Sequence, residues 1–184
     1  MRDKYLETWD QDQSPTQFQG SGSSHELASL LLTECIQFSM KSLKKPTYVL
    51  YLDAKSAFDV VQKELLIKNL FFLLENPEQL LLHVNNRIAN RKTYLDWNGS
   101  LMGPITDQQG LEQGGSSSSD FYKIFGKEQL SLAQKSKLGV KMGEITVSCI
   151  GQADDTILVS NNINDLFFLL VLTNIFSDKY LVEL

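Results

Sequence analysis

Three aspartates carry the chemistry this chain could do. Asp154 and Asp155 are adjacent inside "SCIGQADDTILVS", residues 148–160, a stretch that is otherwise apolar and strand-like, and Asp53 closes "TYVLYLD", residues 47–53. Carboxylates are seldom buried unless they are paired or hold a metal. Neighbouring side chains of an extended strand point to opposite faces, so Asp154 and Asp155 come together only near the tip of a hairpin. If "TYVLYLD" is the sheet neighbour of that hairpin, three carboxylates meet at one end of the sheet. Their repulsion is relieved by a divalent cation. Mg²⁺, with Mn²⁺ as its substitute, takes oxygen ligands of this kind. Two such ions about 3.5–4 Å apart serve in-line phosphoryl displacement. The plainer reading of an Asp pair is solvated turn chemistry.

The elements that must position these acids follow from pattern. Apolar Leu27, Leu30, Leu31, Cys35 and Phe38 recur at helical spacing over residues 25–42, before "KKP" breaks the run. "TYVLYLD" is β-branched and aromatic with no turn residue, a buried strand. A helix is predicted to follow, with Asp59 as N-cap and Gln62 three residues on. It runs to Leu74, where Asn76 and Pro77 stop it, and a second helix spans about residues 78–89. "TYLDW" and "LMGPIT" read as strands about an Asn-Gly turn. "QGLEQGGSSSS" is a loop, "DFYKIFGKEQLSLAQKS" a helix, "EITVSCI" and "TILVS" strands, and residues 164–179 the last helix, with "YLVEL" beginning another strand. Helices mixed with hairpin-like strands predict an α+β domain around an antiparallel sheet.

Composition sets the bounds. The chain has 184 residues, 42% hydrophobic and 21% charged, which is globular composition for one domain. Residues 1–24 are polar, end in "GSGSS", and read as a disordered lead-in to a domain over 25–184. The net charge of −5 argues against a surface wholly given to nucleic acid, though a local basic groove is compatible with it. Cys35 and Cys149 lack partners at metal-ligand spacing, so zinc is excluded and both read as reduced intracellular thiols. The start has no apolar signal region, and "LFFLLVL" is far shorter than the roughly 20 residues of a membrane span. The expectation is a soluble intracellular protein.

"YLDAKSAFD" (residues 51–59), "GLEQGGSSSSDFYKIF" (110–125) and "IGQADDTILVS" (150–160) occur in that order. The set resembles motifs A, B and C of the reverse transcriptase palm, particularly that of non-LTR, LINE-type retrotransposons. "QFQGSGSSHELASLLLTE" is similar to the fingers segment before motif A, and "NRIANRKTYLDWNGSLMGPITD" to the stretch between A and B. The resemblance implies an RNA-directed DNA polymerase of fingers and palm, with an antiparallel palm sheet packed on helices. It implies an RNA template, a DNA primer and dNTPs as partners, two Mg²⁺ ions as cofactor, no membrane and no protein partner. A retroelement polymerase of this type would act on nuclear DNA.

Carried over by position, the resemblance makes Asp53, Asp154 and Asp155 catalytic metal ligands, with the backbone carbonyl of Ala54 also touching metal. Phe58 falls where the family keeps a bulky residue beside the sugar 2′ position; the other reading is a core-facing ring at a helix start. Gln113 and Gly114 match the motif B "QG" pair near the nucleotide; the other reading of "GGSSSS" is a flexible connector. Arg87, Arg91 and Lys92 could contact template phosphates, or form a solvated helix end. Lys44 and Lys45 are a lesser basic pair. Gln152 stands where motif C usually has an aromatic, and "SSSSD" where motif B often has Ser-Pro. The chain stops at Leu184, where motif D begins, so the thumb and the motif D lysine are missing from it. The second expectation is therefore a truncated, catalytically inactive retrotransposon remnant that binds nucleic acid weakly. A phosphoacceptor domain built on Asp53 is a third, and it would need a parallel sheet.

Overall fold

Strand formation begins with "YVLYLD", whose β-branched and aromatic side chains suit a pleated sheet. The computed structural model describes residues 25–73, 82, 84–86, 88, 91–112, 118–152 and 154–180. Strand β1 (Tyr48–Asp53) pairs antiparallel with β7 (Asp155–Ser160), and β7 pairs antiparallel with β6 (Cys149–Gln152), giving the sheet order β1-β7-β6. The expected α+β class with an antiparallel sheet is what the chain adopts. That topology removes the phosphoacceptor reading, which requires parallel strands.

Residues directly opposite in an antiparallel ladder share a face. One face of the sheet carries Tyr48, Leu50, Leu52, Leu158 and Cys149. They pack on helices α3 (Ser118–Lys135) and α4 (Ile163–Tyr180) through Leu130, Ala133, Leu166 and Leu169. A Cβ on Gly151 would lie 2.8 Å from Leu130 Cδ1, so α3 rests directly on β6. The other face carries Ile150, Ile157 and Val159. Helix α1 (His25–Phe38) covers these with Ala28 and Cys35, together with Val140 and Val147. A third cluster joins helix α2 (Lys63–Leu73) to α3 and α4 through Leu66, Leu70, Tyr122, Phe125, Phe176 and Tyr180. Each fully buried side chain of this size contributes about 1.5–3 kcal/mol. The aromatic members lock together, with Phe125 and Tyr180 edge to face at 5.0 Å between centroids.

The hairpin of β2 (Lys92–Trp97) and β3 (Ser100–Thr106) turns at Asn98 and Gly99, whose φ values of 52° and 78° suit the left-handed turn that Asn-Gly favours. Two expectations are corrected. The helix after motif A begins at Lys63, not Asp59. Ser56, at φ 52°, accepts the Asp59 and Val60 N–H groups in a turn, and the Gln62 carbonyl accepts the first helical bond from Leu66, at 3.0 Å. "EITVSCI" is two strands rather than one. Ser148 donates its hydroxyl to the Leu138 carbonyl and breaks the run. The part before it, β5 (Ile145–Val147), pairs with β4 (Val140–Met142) in a hairpin that the sequence pattern did not suggest. Helix α1 continues into one π-helical segment, Ser39–Leu43, which Lys44 ends at φ 53°.

The lead-in over 1–24, the stop at Asn76 and Pro77, and the strand begun by "YLVEL" lie outside the described residues, save Tyr180, which ends α4. Of the helix expected over 78–89, residues 82, 84–86 and 88 are described and helical, with Val84 and Ile88 buried in the third cluster. Cys35 and Cys149 are buried thiols outside any disulfide. Burial, helped by the Glu34 charge, pushes the Cys35 thiol up to about 11. No helix among the described residues is long and apolar enough to cross a membrane.

Candidate active site

The two acid-bearing segments meet in register. Asp53 is the last residue of β1 and Asp155 the first of β7, and they are direct cross-strand partners. Both are exposed and lie on the same face of the sheet. Gln152 also pairs with Asp155, so Asp154 occupies the two-residue turn between β6 and β7. The hairpin tip thus puts Asp154 beside the strand end that carries Asp155, as the turn argument requires. Burial, then the charges of Asp154 and Asp53, raise the Asp155 carboxyl above its usual range, and His25 partly offsets them. Tyr122, from α3, is near enough to Asp154 for that charge to add to burial in raising its phenol.

A divalent cation suits this donor chemistry. The donors are oxygens alone, two carboxylates stand in register, a third adjoins them in the turn, and like charges disfavour one another's ionisation. Among the described residues no group of three or more His, Cys, Asp or Glu side chains is gathered closely enough to hold an ion by itself. Ala54 follows Asp53 and is buried against the third cluster, which fixes the backbone carbonyl there.

Phe58 is half-buried, and its ring lies 5.1 Å from that of Tyr122. The ring packs against the third cluster, as the core-facing reading of this residue expects. The start of the motif B segment holds it. Leu111 N–H donates to the Phe58 carbonyl and Gly110 N–H to the Val61 carbonyl, each at 2.8 Å. Gly110 has φ 89°, and a Cβ there would sit 3.0 Å from the Asp59 carbonyl oxygen, so this close approach needs glycine.

Gln113, Gly114 and Arg87 lie outside the described residues. Arg91 and Lys92 stand at the base of the β2–β3 hairpin, a sheet separate from the one that bears the aspartates. Arg91 Nε is 3.3 Å from Asp107 Oδ2, and Thr93 Oγ1 donates to the same oxygen at 2.9 Å. Lys63 is buried and donates to the Asp107 carbonyl at 2.5 Å. Burial lowers the Lys63 ammonium below its usual range, Asp107 opposing and Arg91 adding to the effect. Asp107 thus ties the hairpin to α2. Sequence reasoning missed Tyr122, Lys63 and His25. The aromatic "DFYKIF" at the start of α3 was the available signal for Tyr122; nothing in the local sequence marked the other two.

Residues 5–180 match the family model described as reverse transcriptase (RNA-dependent DNA polymerase). The chain belongs to the reverse transcriptase family. Telomerase from Candida tropicalis, solved in complex with a TWJ fragment of telomeric RNA, shares the fold at TM-score 0.73 and 16% identity, over 97% of this chain and 31% of that one. The apo telomerase of Candida tropicalis truncated from the C-terminal domain matches at TM-score 0.60 and 15% identity, over 99% and 38%. Telomerase from Candida albicans, also with a TWJ fragment, matches at 0.65 and 14%, over 92% and 30%. The chain spans about a third of the length of these telomerases. No curated protein matches it in sequence.

Proposed function

We propose that this chain forms the fingers and palm of an RNA-directed DNA polymerase, adding dNTPs to a DNA primer 3′-hydroxyl on an RNA template. The observation that carries the reading is the direct pairing of Asp53 with Asp155 beside the Asp154 turn. Asp53, Asp154, Asp155 and the Ala54 carbonyl would hold the metal. Two Mg²⁺ or Mn²⁺ ions bound there supply charge neutralisation at the attacking hydroxyl and at the leaving pyrophosphate. Phe58, braced by Tyr122 and by the Leu111 bond, would close off the sugar 2′ position and so select deoxynucleotides. Gln113 and Gly114 would border the nascent base pair. Arg87, Arg91 and Lys92 would take template phosphates, with Arg91 offering the guanidinium nitrogens left over from Asp107. The ordered motif residues, rather than the fold neighbours, support a non-LTR retrotransposon origin.

The test pairs catalysis with metal binding. Wild type is expected to extend a primer on an RNA template in Mg²⁺, and Asp154→Asn to lose at least 100-fold of that rate. Mn²⁺ titration followed by electron paramagnetic resonance should show binding that weakens in Asp53→Asn and in Asp154→Asn. Wild type that neither extends primer nor binds Mn²⁺ more tightly than those variants would leave the inactive remnant as the correct description.

A further inference from the structure

The end of the sheet opposite the acids carries a second concentration of charge, of the other sign. An open cleft of about 810 Å³ lies there, lined by Lys45, Lys141, Tyr48, Phe38, Asn162 and Asp165 among others. Tyr48 and Asp53 are the two ends of β1, five residues apart, which at the strand rise of about 3.3 Å per residue separates the cleft from the acids by about 17 Å. Two basic segments far apart in the chain build it. "KSLKKP" delivers Lys45 and "KSKLGVK" delivers Lys141. Lys44 adjoins the first, and Lys137 stands two residues before the lining residue Gly139. All four lysines are exposed. Asp165 in the cleft and Glu144 beside the lining residue Gly143 are the acids that oppose them. Lysines thus outnumber acids two to one here, on a chain of net charge −5.

The walls are fixed rather than incidental. Lys44 turns the chain at φ 53°, and the Lys45 N–H closes back on the Ser39 carbonyl at 3.1 Å. Asn161 donates to Ser39 Oγ at 2.8 Å and to the Pro46 carbonyl at 2.9 Å, tying the end of β7 to the segment that bears Lys45. Gly139 has φ 135°, and a Cβ there would fall 2.2 Å from the Val147 carbonyl oxygen, so the Lys141 wall is held against β5 at a contact that admits only glycine. Asn162 caps α4 through its side chain, which accepts the Asn164 N–H at 2.9 Å and so occupies one of the N–H groups at the helix start.

We propose that this cleft binds the backbone of a single-stranded nucleic acid, as a second site separate from the catalytic face. Exposed ammonium groups on both walls suit phosphates. Half-buried aromatic rings, Phe38 and Tyr48, line the same space, and a cationic groove with aromatic surfaces is the arrangement that holds unpaired strands. A duplex would need a broader cationic surface than these two walls offer.

The probe is a ten-nucleotide oligouridylate, in buffer without divalent metal so that the acid cluster repels it. Fluorescence anisotropy should give binding that weakens at least tenfold in Lys45→Glu/Lys141→Glu. The slope of log affinity against log salt should fall by about 1–1.5, at roughly 0.7 for each phosphate no longer neutralised. Lys45→Gln/Lys141→Gln should lose less. Amide resonances of Gly139, Gly143 and Asn162 should shift on titration, while those of Asp53 and Asp155 stay in place. Unchanged affinity in both lysine double variants, or shifts confined to the Asp53–Asp155 end, would overturn the proposal. So would an oligoglutamate peptide that moves the cleft amides when the oligonucleotide does not, an outcome that would assign the cleft to an acidic protein partner.

Discussion

Replacing Asp155 with Asn should stabilise this protein when no metal is present. Asp155 faces Asp53 directly across the ladder and follows Asp154, so its ionised form is opposed first by burial and then by two like charges. Cross-strand partners have side chains about 5 Å apart. At that separation the repulsion per pair lies between about 0.8 kcal/mol in water and about 3 kcal/mol at the effective dielectric of a protein surface. Asp155 is exposed, so solvent screening brings the expected gain toward the lower end, about 1 kcal/mol. For a chain of this size that is a rise of about 2–4 °C in melting temperature.

The pH dependence has a definite sign. The folded state raises the Asp155 carboxyl, so it holds that proton more tightly than the unfolded chain does. Wild-type stability therefore falls as pH climbs from the unfolded value, about 3.9, through the folded one. Asp155→Asn removes that fall. Its advantage should be full at pH 7 and vanish below about pH 4. Magnesium should reverse the order, because wild type gains about 1.4 kcal/mol at ten times its dissociation constant and the variant gains less. Asp53→Asn relieves part of the same repulsion, so the double variant should fall short of the sum. Thermal melts followed by circular dichroism, in chelator and in Mg²⁺ at pH 7 and pH 3.5, measure all of this. A variant that is neutral or destabilised in chelator at pH 7, or equally stabilised at pH 3.5, would refute the claim that these carboxylates repel one another.

Phe58→Ala should remove the ring packing against Tyr122, lowering stability by about 1 kcal/mol beyond the lost burial, and should raise ribonucleotide incorporation relative to deoxynucleotide in primer extension. Gly139→Ala should cost at least about 2 kcal/mol by chemical denaturation, because the backbone is left-handed and the Val147 carbonyl cannot withdraw; Gly151→Ala, which meets only the end of the Leu130 side chain, should cost clearly less. Tyr180→Phe should lose about 1 kcal/mol with its hydroxyl bond to Glu128. Burial opposes the Glu128 charge, but hydrogen bonds from Lys179 and Tyr180 and the Lys179 charge outweigh it and hold that carboxyl below its usual range, so the deficit of Tyr180→Phe should shrink as acid titration protonates Glu128.

Much of the fold could be read from the sequence because its signals are local. "YVLYLD" has no breaker, "NG" dictates its turn, and "ADD" between two apolar strands can only be a tip. The Asp53–Asp155 pairing was harder, since nothing in either strand names its neighbour; it became legible only when motifs A and C were taken together. The errors have physical causes. Asp59 has the spacing of an N-cap, but the turn accepted by Ser56 takes up those residues and delays the helix to Lys63. "EITVSCI" alternates well enough for one strand, and only the tertiary bond from Ser148 to Leu138 splits it.

The basic cleft shows most clearly where sequence reading stops. Lys44 and Lys45 look like an ordinary solvated pair, and Lys137 and Lys141 look like scattered surface charge, because each group alone is too small to signal a site. About a hundred residues separate them in the chain, and the charge imbalance exists only after the Asn161 bonds and the Gly139 contact bring the two segments together. Whole-chain charge points the other way, at −5. A reverse transcriptase family chain of net charge −5 can therefore carry a local excess of lysines at the end of the sheet remote from its aspartates, and net charge is a poor guide to local charge. What matters is whether lysines distant in sequence are brought to line one cleft.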